Sequence, residues 1–108
     1  MTRAEDPKPI VEMRKKLRLM HHPKSTERAY ISWVRRFMVH VGDEDLTKYG
    51  AEQVAEFLAD LVLVKKLAAN SQNQALNALL FYYHMVLAQL IGTSKEIRAM
   101  VSKHRQTT

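Results

Sequence analysis

The sequence predicts an all-α domain: a compact bundle of four helices with room for a short fifth at the C-terminal end. Two observations carry this. Apolar residues recur at three- and four-residue steps in four separate stretches, which at ~100° per residue gathers each set on one helix face. Pro23, Gly42, Gly50 and Gly92 fall between or beyond those stretches, where breakers belong.

In chain order, Met1 to Lys8 is polar, with charges of both signs and Pro7, and reads as a flexible arm. Pro9 then suits a first helical turn, and Ile10, Met13, Leu17 and Met20 form an apolar stripe beside the basic residues Arg14, Lys15, Lys16 and Arg18. After Pro23, Ser25 or Thr26 is placed to cap a second helix that runs to about Val41, with Tyr30, Trp33, Val34, Phe37 and Val41 as its core stripe. Residues 42–50 are a loop with an acidic cluster. A third helix over about 51–65 buries Val54, Phe57, Leu58, Leu61 and Val62 and exposes Glu52, Glu56 and Asp60. The longest periodic run, residues 70–92, reads as one continuous helix. Its stripe is Leu76, Leu79, Leu80, Tyr83, Val86, Leu87 and Leu90. Ser71 and Gln74 are spaced as a capping box, and Gly92 is the stop signal. Ile97, Met100 and Val101 give the segment after it the contacts of a short fifth helix. Residues 9–92 are thus the folded unit, and residues 93–108 read as the start of an interdomain linker.

At 108 residues the chain is long enough for one core without staples. It has no cysteine, which excludes disulfides, thiol chemistry and cysteine-based zinc sites. With no signal-peptide pattern and no membrane-length apolar run, the expectation is a cytoplasmic protein with no membrane partner. The net charge of +6 favours an anionic partner, and its distribution is uneven. Residues 1–24 carry seven Lys/Arg against three acids, whereas residues 42–66 carry three against six.

No catalytic or cofactor constellation stands out. The acidic residues Asp43, Glu44 and Asp45 lack the spacing of a calcium loop, and the five histidines form no paired ligand motif, so neither metal nor cofactor is expected. Two polar strips remain. Arg28, Ser32, Arg35 and Arg36 lie opposite the core stripe of the second helix, where guanidinium forks suit phosphates and guanine edges. Asn73, Gln74, Asn77 and His84 line the outer side of the long helix. No charged residue occurs between residues 67 and 94, and amides suit base edges, phosphates and sugars.

Taken together, STERAYISWVRRFMVHVG, YGAEQVAEFLADLVLVKKLAAN and NSQNQALNALLFYYHMVL closely resemble the N-terminal core-binding domain of tyrosine recombinases, most nearly the integron-type integrases, over about residues 10–90. That resemblance implies a SAM-like orthogonal bundle whose second and fourth helices face the DNA major groove. It also implies a separate C-terminal catalytic domain that supplies the nucleophilic tyrosine, and a parent protein that is oligomeric on DNA while this domain alone is monomeric. Tyr30, Tyr49, Tyr82 and Tyr83 match no catalytic motif, so no chemistry is expected of this chain by itself. The resemblance adds Lys24, Ser25, Thr26, Ser71 and Gln72 to the candidate DNA surface. The chain departs from the family pattern at His22-Pro23-Lys24-Ser25 and at His84-Met85. Two other classes fit the composition: a basic helical protein-interaction module, and attachment of the first helix to an anionic membrane. Salt-dependent binding of short duplex DNA separates them.

Overall fold

The computed structural model describes residues 6–106, with side chains described through residue 104. The first five residues of the expected arm and the last two of the expected linker lie outside the described residues. Among the described residues five α-helices run in order: α1 (Lys8–Leu19), α2 (Lys24–Val41), α3 (Ala51–Leu63), α4 (Ala69–Phe81) and α5 (Ser94–Gln106). A 3-10 turn, Leu46–Lys48, precedes α3, and a π-turn, Tyr82–Val86, closes α4. Among the described residues there is no strand.

The helices share one core. α2 packs on α4, α3 packs on α5, and α1 lies against α2 and the π-turn. Ile10, Met13 and Leu17 of α1, Trp33, Val34 and Phe37 of α2, and Val54, Phe57, Leu58 and Leu61 of α3 are buried, as their spacing predicts. Ile31 and Met38 join them from the adjoining side of α2. Met20 is a correction, since it lies past the last turn of α1 and is exposed. There the chain turns through His21 at φ 62°, and the His22 N–H reaches back to the Leu17 carbonyl. Val62 is only half-buried, because α3 stops at Leu63 and the chain leaves through Lys66 at φ 52°.

Neither Ser25 nor Thr26 caps α2. Pro23 holds the N-cap position in extended geometry and its carbonyl accepts from Glu27 N at 3.0 Å, so both hydroxyl residues fall inside the first turn.

The long helix expected over residues 70–92 is shorter. Ala68 is the N-cap of α4 and Ser71 sits inside its first turn, so no Ser71 cap forms. At the other end the turn widens: Leu87 N bonds Tyr82 O at 3.0 Å and Gln89 N bonds Tyr83 O at 2.8 Å. Ala88 then adopts φ 53°, which ends the helix four residues before Gly92. The wider turn lets Tyr82 and Tyr83 both bury and keeps Val86 and Leu87 partly buried against the core, whereas Leu90 is 88% exposed. Gly92 instead leads into α5. There Thr93 Oγ1 accepts from Glu96 N at 3.1 Å and Thr93 N donates to Glu96 Oε1 at 2.7 Å, a reciprocal capping box. Ile97 is fully buried, which docks α5 on the bundle.

Candidate nucleic-acid interface

Arg28, Ser32, Arg35 and Arg36 all lie exposed on the outer side of α2, at the spacing that puts them on one strip. With Arg14, Glu27 and Ile31 they line a shallow depression between α1 and α2. Acids at its edge hold some of this charge. Asp6 accepts from Arg35 Nη2 and from Arg14 Nη1, each at 2.9 Å. The hydrogen bond from Arg35, then that from Arg14, keeps the Asp6 carboxyl below its ordinary pKa. Glu27, buried in the bundle, takes a fork from Arg18 at 3.0 and 3.1 Å, and that bond lowers its pKa in turn. Glu27 and Arg18 are therefore a structural pair.

Trp33 joins α2 to α4. Its indole N–H donates to Gln74 Oε1 at 3.0 Å, and the Arg36 guanidinium lies 4.5 Å from the ring centroid. Arg36 of the α2 strip and Gln74 of the α4 strip thus meet across one buried ring. Asn77 is exposed on the next turn of α4, while Lys24 and Ser25 are exposed and Thr26 is half-buried in the first turn of α2.

Other candidates are placed differently. Gln72 turns toward the start of its own helix and donates to the Leu67 carbonyl at 2.8 Å. Together with Asn73 it borders a groove against α5, which Arg98, Val101 and Ser102 line from the other side. Asn73 Oδ1 accepts from Arg98, whose Nε also donates to Ser94 Oγ at 3.1 Å. Ser71 is half-buried nearby. His84 lies in the π-turn, where its Nε2 accepts from Ile91 N at 3.4 Å, a long bond that steadies the loop.

Arg98, at the edge of the amide strip, was not singled out by sequence reasoning, and Arg14, read there only as part of the basic first helix, lies at the edge of the arginine strip. The four-residue step from Ser94 to Arg98 is a helix-surface pair readable in advance. The approach of α5 to Asn73 is a tertiary fact. The exposed acids Glu52 and Glu56 sit on α3, so the acidic segment has its own surface. Asp43 is engaged locally, by Asp45 N–H, Lys48 and Tyr49. Among the described residues no cluster of metal-ligating side chains occurs, and no helix is long and apolar enough to cross a membrane.

Residues 10–93 match the family described as phage integrase, N-terminal SAM-like domain. A protein named "Integrase/recombinase" from Escherichia coli is 34% identical over 90 residues, spanning 83% of this chain and 27% of that protein. A protein of the same name from Pseudomonas aeruginosa matches to the same extent, 34% over 90 residues. The chain thus spans only 27% of the length of these curated relatives. The chain, an all-helical bundle matched over residues 10–93, belongs to the phage integrase N-terminal SAM-like domain family.

Proposed function

We propose that this chain is the DNA-binding domain of a site-specific tyrosine recombinase and that it clamps duplex DNA at the recombination site. The Trp33 seam carries this reading, because it holds the Arg36 guanidinium of the α2 strip and the Gln74 amide of the α4 strip on one buried ring. Arginines neutralise phosphates and release condensed counter-ions, which supplies affinity for any duplex, while amides facing base edges supply choice among sequences. Lys24, Ser25 and Thr26, at the start of α2, extend the phosphate-facing edge, and Ser71, at the start of α4, extends the amide edge.

In the parent protein, strand transfer belongs to a C-terminal catalytic domain, and assembly into oligomers on DNA belongs to the parent rather than to this domain, which is monomeric alone. Residues 93–108 lead toward that domain, beginning as the docked helix α5. The setting is cytoplasmic.

The test is a titration of this chain with short duplex DNA at several salt concentrations. Binding should weaken steeply with salt. The Arg28→Ala/Arg36→Ala double variant should flatten the log–log slope by ~1–2, given ~0.9 per neutralised phosphate. Binding that ignores salt, or a slope unmoved by both substitutions, would place the interaction elsewhere and favour a protein partner.

A further inference from the structure

Three amides of α4 are oriented by partners that have only one hydrogen-bonding sense. An indole N–H only donates, so the Gln74 atom 3.0 Å from Trp33 Nε1 is the carbonyl oxygen. A guanidinium only donates, so Asn73 gives its oxygen to Arg98. A backbone carbonyl only accepts, so Gln72 gives its nitrogen to Leu67 O at 2.8 Å. Asn77 lies one turn beyond Asn73 and Gln74 on the same outer side. It is exposed, and neither end of its amide is held by a hydrogen bond among the described residues.

We infer that Asn77 is the base-reading residue of this surface, selective for adenine, and that Gln74 and Asn73 supply N–H donors without discriminating between bases. This rests on the DNA-binding reading given above. A bidentate contact with adenine needs an amide oxygen to accept from N6–H and an amide nitrogen to donate to N7. In Gln74 the oxygen is turned onto the indole, which leaves the NH2 group outermost, and a phosphate oxygen or any base acceptor satisfies that group. Asn73 is turned the same way by Arg98. Asn77 keeps donor and acceptor side by side. Asn70 is also exposed, but it belongs to the first turn of α4, whose unpaired backbone N–H groups favour phosphate over a base edge.

The test is competitive binding of this chain, and of its Asn77→Ala, Gln74→Ala and Asn70→Ala variants, to a pool of randomised short duplexes, with the bound fraction sequenced. The unmodified chain should enrich adenine at one position. Asn77→Ala should reduce that enrichment about tenfold or more, the scale of one lost bidentate contact. Gln74→Ala and Asn70→Ala should weaken binding to all members and keep their ranking. Trp33→Phe, which releases the Gln74 oxygen, should create a second enriched adenine. Loss of ranking in Gln74→Ala with its retention in Asn77→Ala would overturn the inference, as would duplex binding with no base preference at all, and in both cases the DNA-binding reading would stand. Failure of the unmodified chain to bind any duplex would remove both together.

Discussion

The Tyr83 hydroxyl donates to the Leu46 carbonyl at 2.8 Å, tying the π-turn that closes α4 to the 3-10 turn between α2 and α3. Both residues are buried, so the carbonyl has no water to fall back on. Tyr83→Phe keeps the ring and strands that acceptor, with an expected loss of ~1–3 kcal/mol in chemical denaturation. Burial pushes the Tyr83 hydroxyl well above its ordinary pKa of 10.0, and that of Tyr82 up to about 12. The folded state therefore favours the protonated phenols, a contribution that is complete below the unfolded pKa and lost as pH rises through the folded one. Stability should fall above about pH 10, and Tyr83→Phe should lessen that fall.

Trp33 fills the α2–α4 seam and is the chain's single tryptophan. Trp33→Ala should cost ~3–5 kcal/mol, enough to threaten a domain of this size. Trp33→Phe loses one hydrogen bond and part of the ring, and should cost less than Trp33→Ala. Helical circular dichroism against denaturant reads both variants. A Trp33→Ala midpoint near that of the unmodified chain would contradict the burial of this ring.

Ala88 sits at φ 53° and Gly42 at φ 71°, both in the left-handed region that a Cβ disfavours. Ala88→Gly should therefore stabilise the chain by ~0.5–1 kcal/mol, and Gly42→Ala should destabilise it by about as much. Nothing lies within 4 Å of a Cβ added at Gly42, so any loss there is conformational rather than steric. Thermal melting of the two variants checks the pair of signs.

Asp43 is held at about pKa 2, first by the Asp45 N–H, then by Lys48 and Tyr49. The carboxyls of Asp6, Asp45 and Glu27 are lowered as well, in each case mainly by a side-chain hydrogen bond. A depressed carboxyl contributes stability that is complete above its unfolded pKa and lost as pH falls through the folded value. The melting temperature should therefore decline on acidification below about pH 4, and Asp43→Asn should flatten the part of that decline reaching down to about pH 2. Parallel acid limbs in the two proteins would show that the Asp43 contacts do not persist in solution.

The core was legible because burial tracks spacing: Ile10, Leu17, Trp33, Phe57, Leu76 and Leu79 all lie where their three- and four-residue steps put them. The ends of elements were legible only where the deciding contact is local. Thr93-x-x-Glu96 and Ser71-x-x-Gln74 have the same form, yet only the first caps a helix, because α4 already starts at Ala69 with Ala68 as its N-cap, and Trp33, 41 residues away in sequence, holds the Gln74 side chain. The same holds at the surface. Periodicity identified the strip from Arg28 to Arg36, but not that Asp6 reaches Arg35 or that α5 brings Arg98 to Asn73. Those pairings depend on how helices cross, which no single stretch encodes.

Asp6, bridging Arg14 and Arg35, is a counter-ion fastened to the chain by a covalent link. Mobile ions around the arginines thin out when the solution is diluted, but this one keeps its local concentration at any ionic strength. An anion arriving at Arg35 exchanges with a carboxylate that stays close by, so little is gained there from ions dispersing into the bulk. Arg35 thus behaves as a partly pre-filled position, and the salt response of the α2 face should be shallower than its number of guanidinium groups suggests.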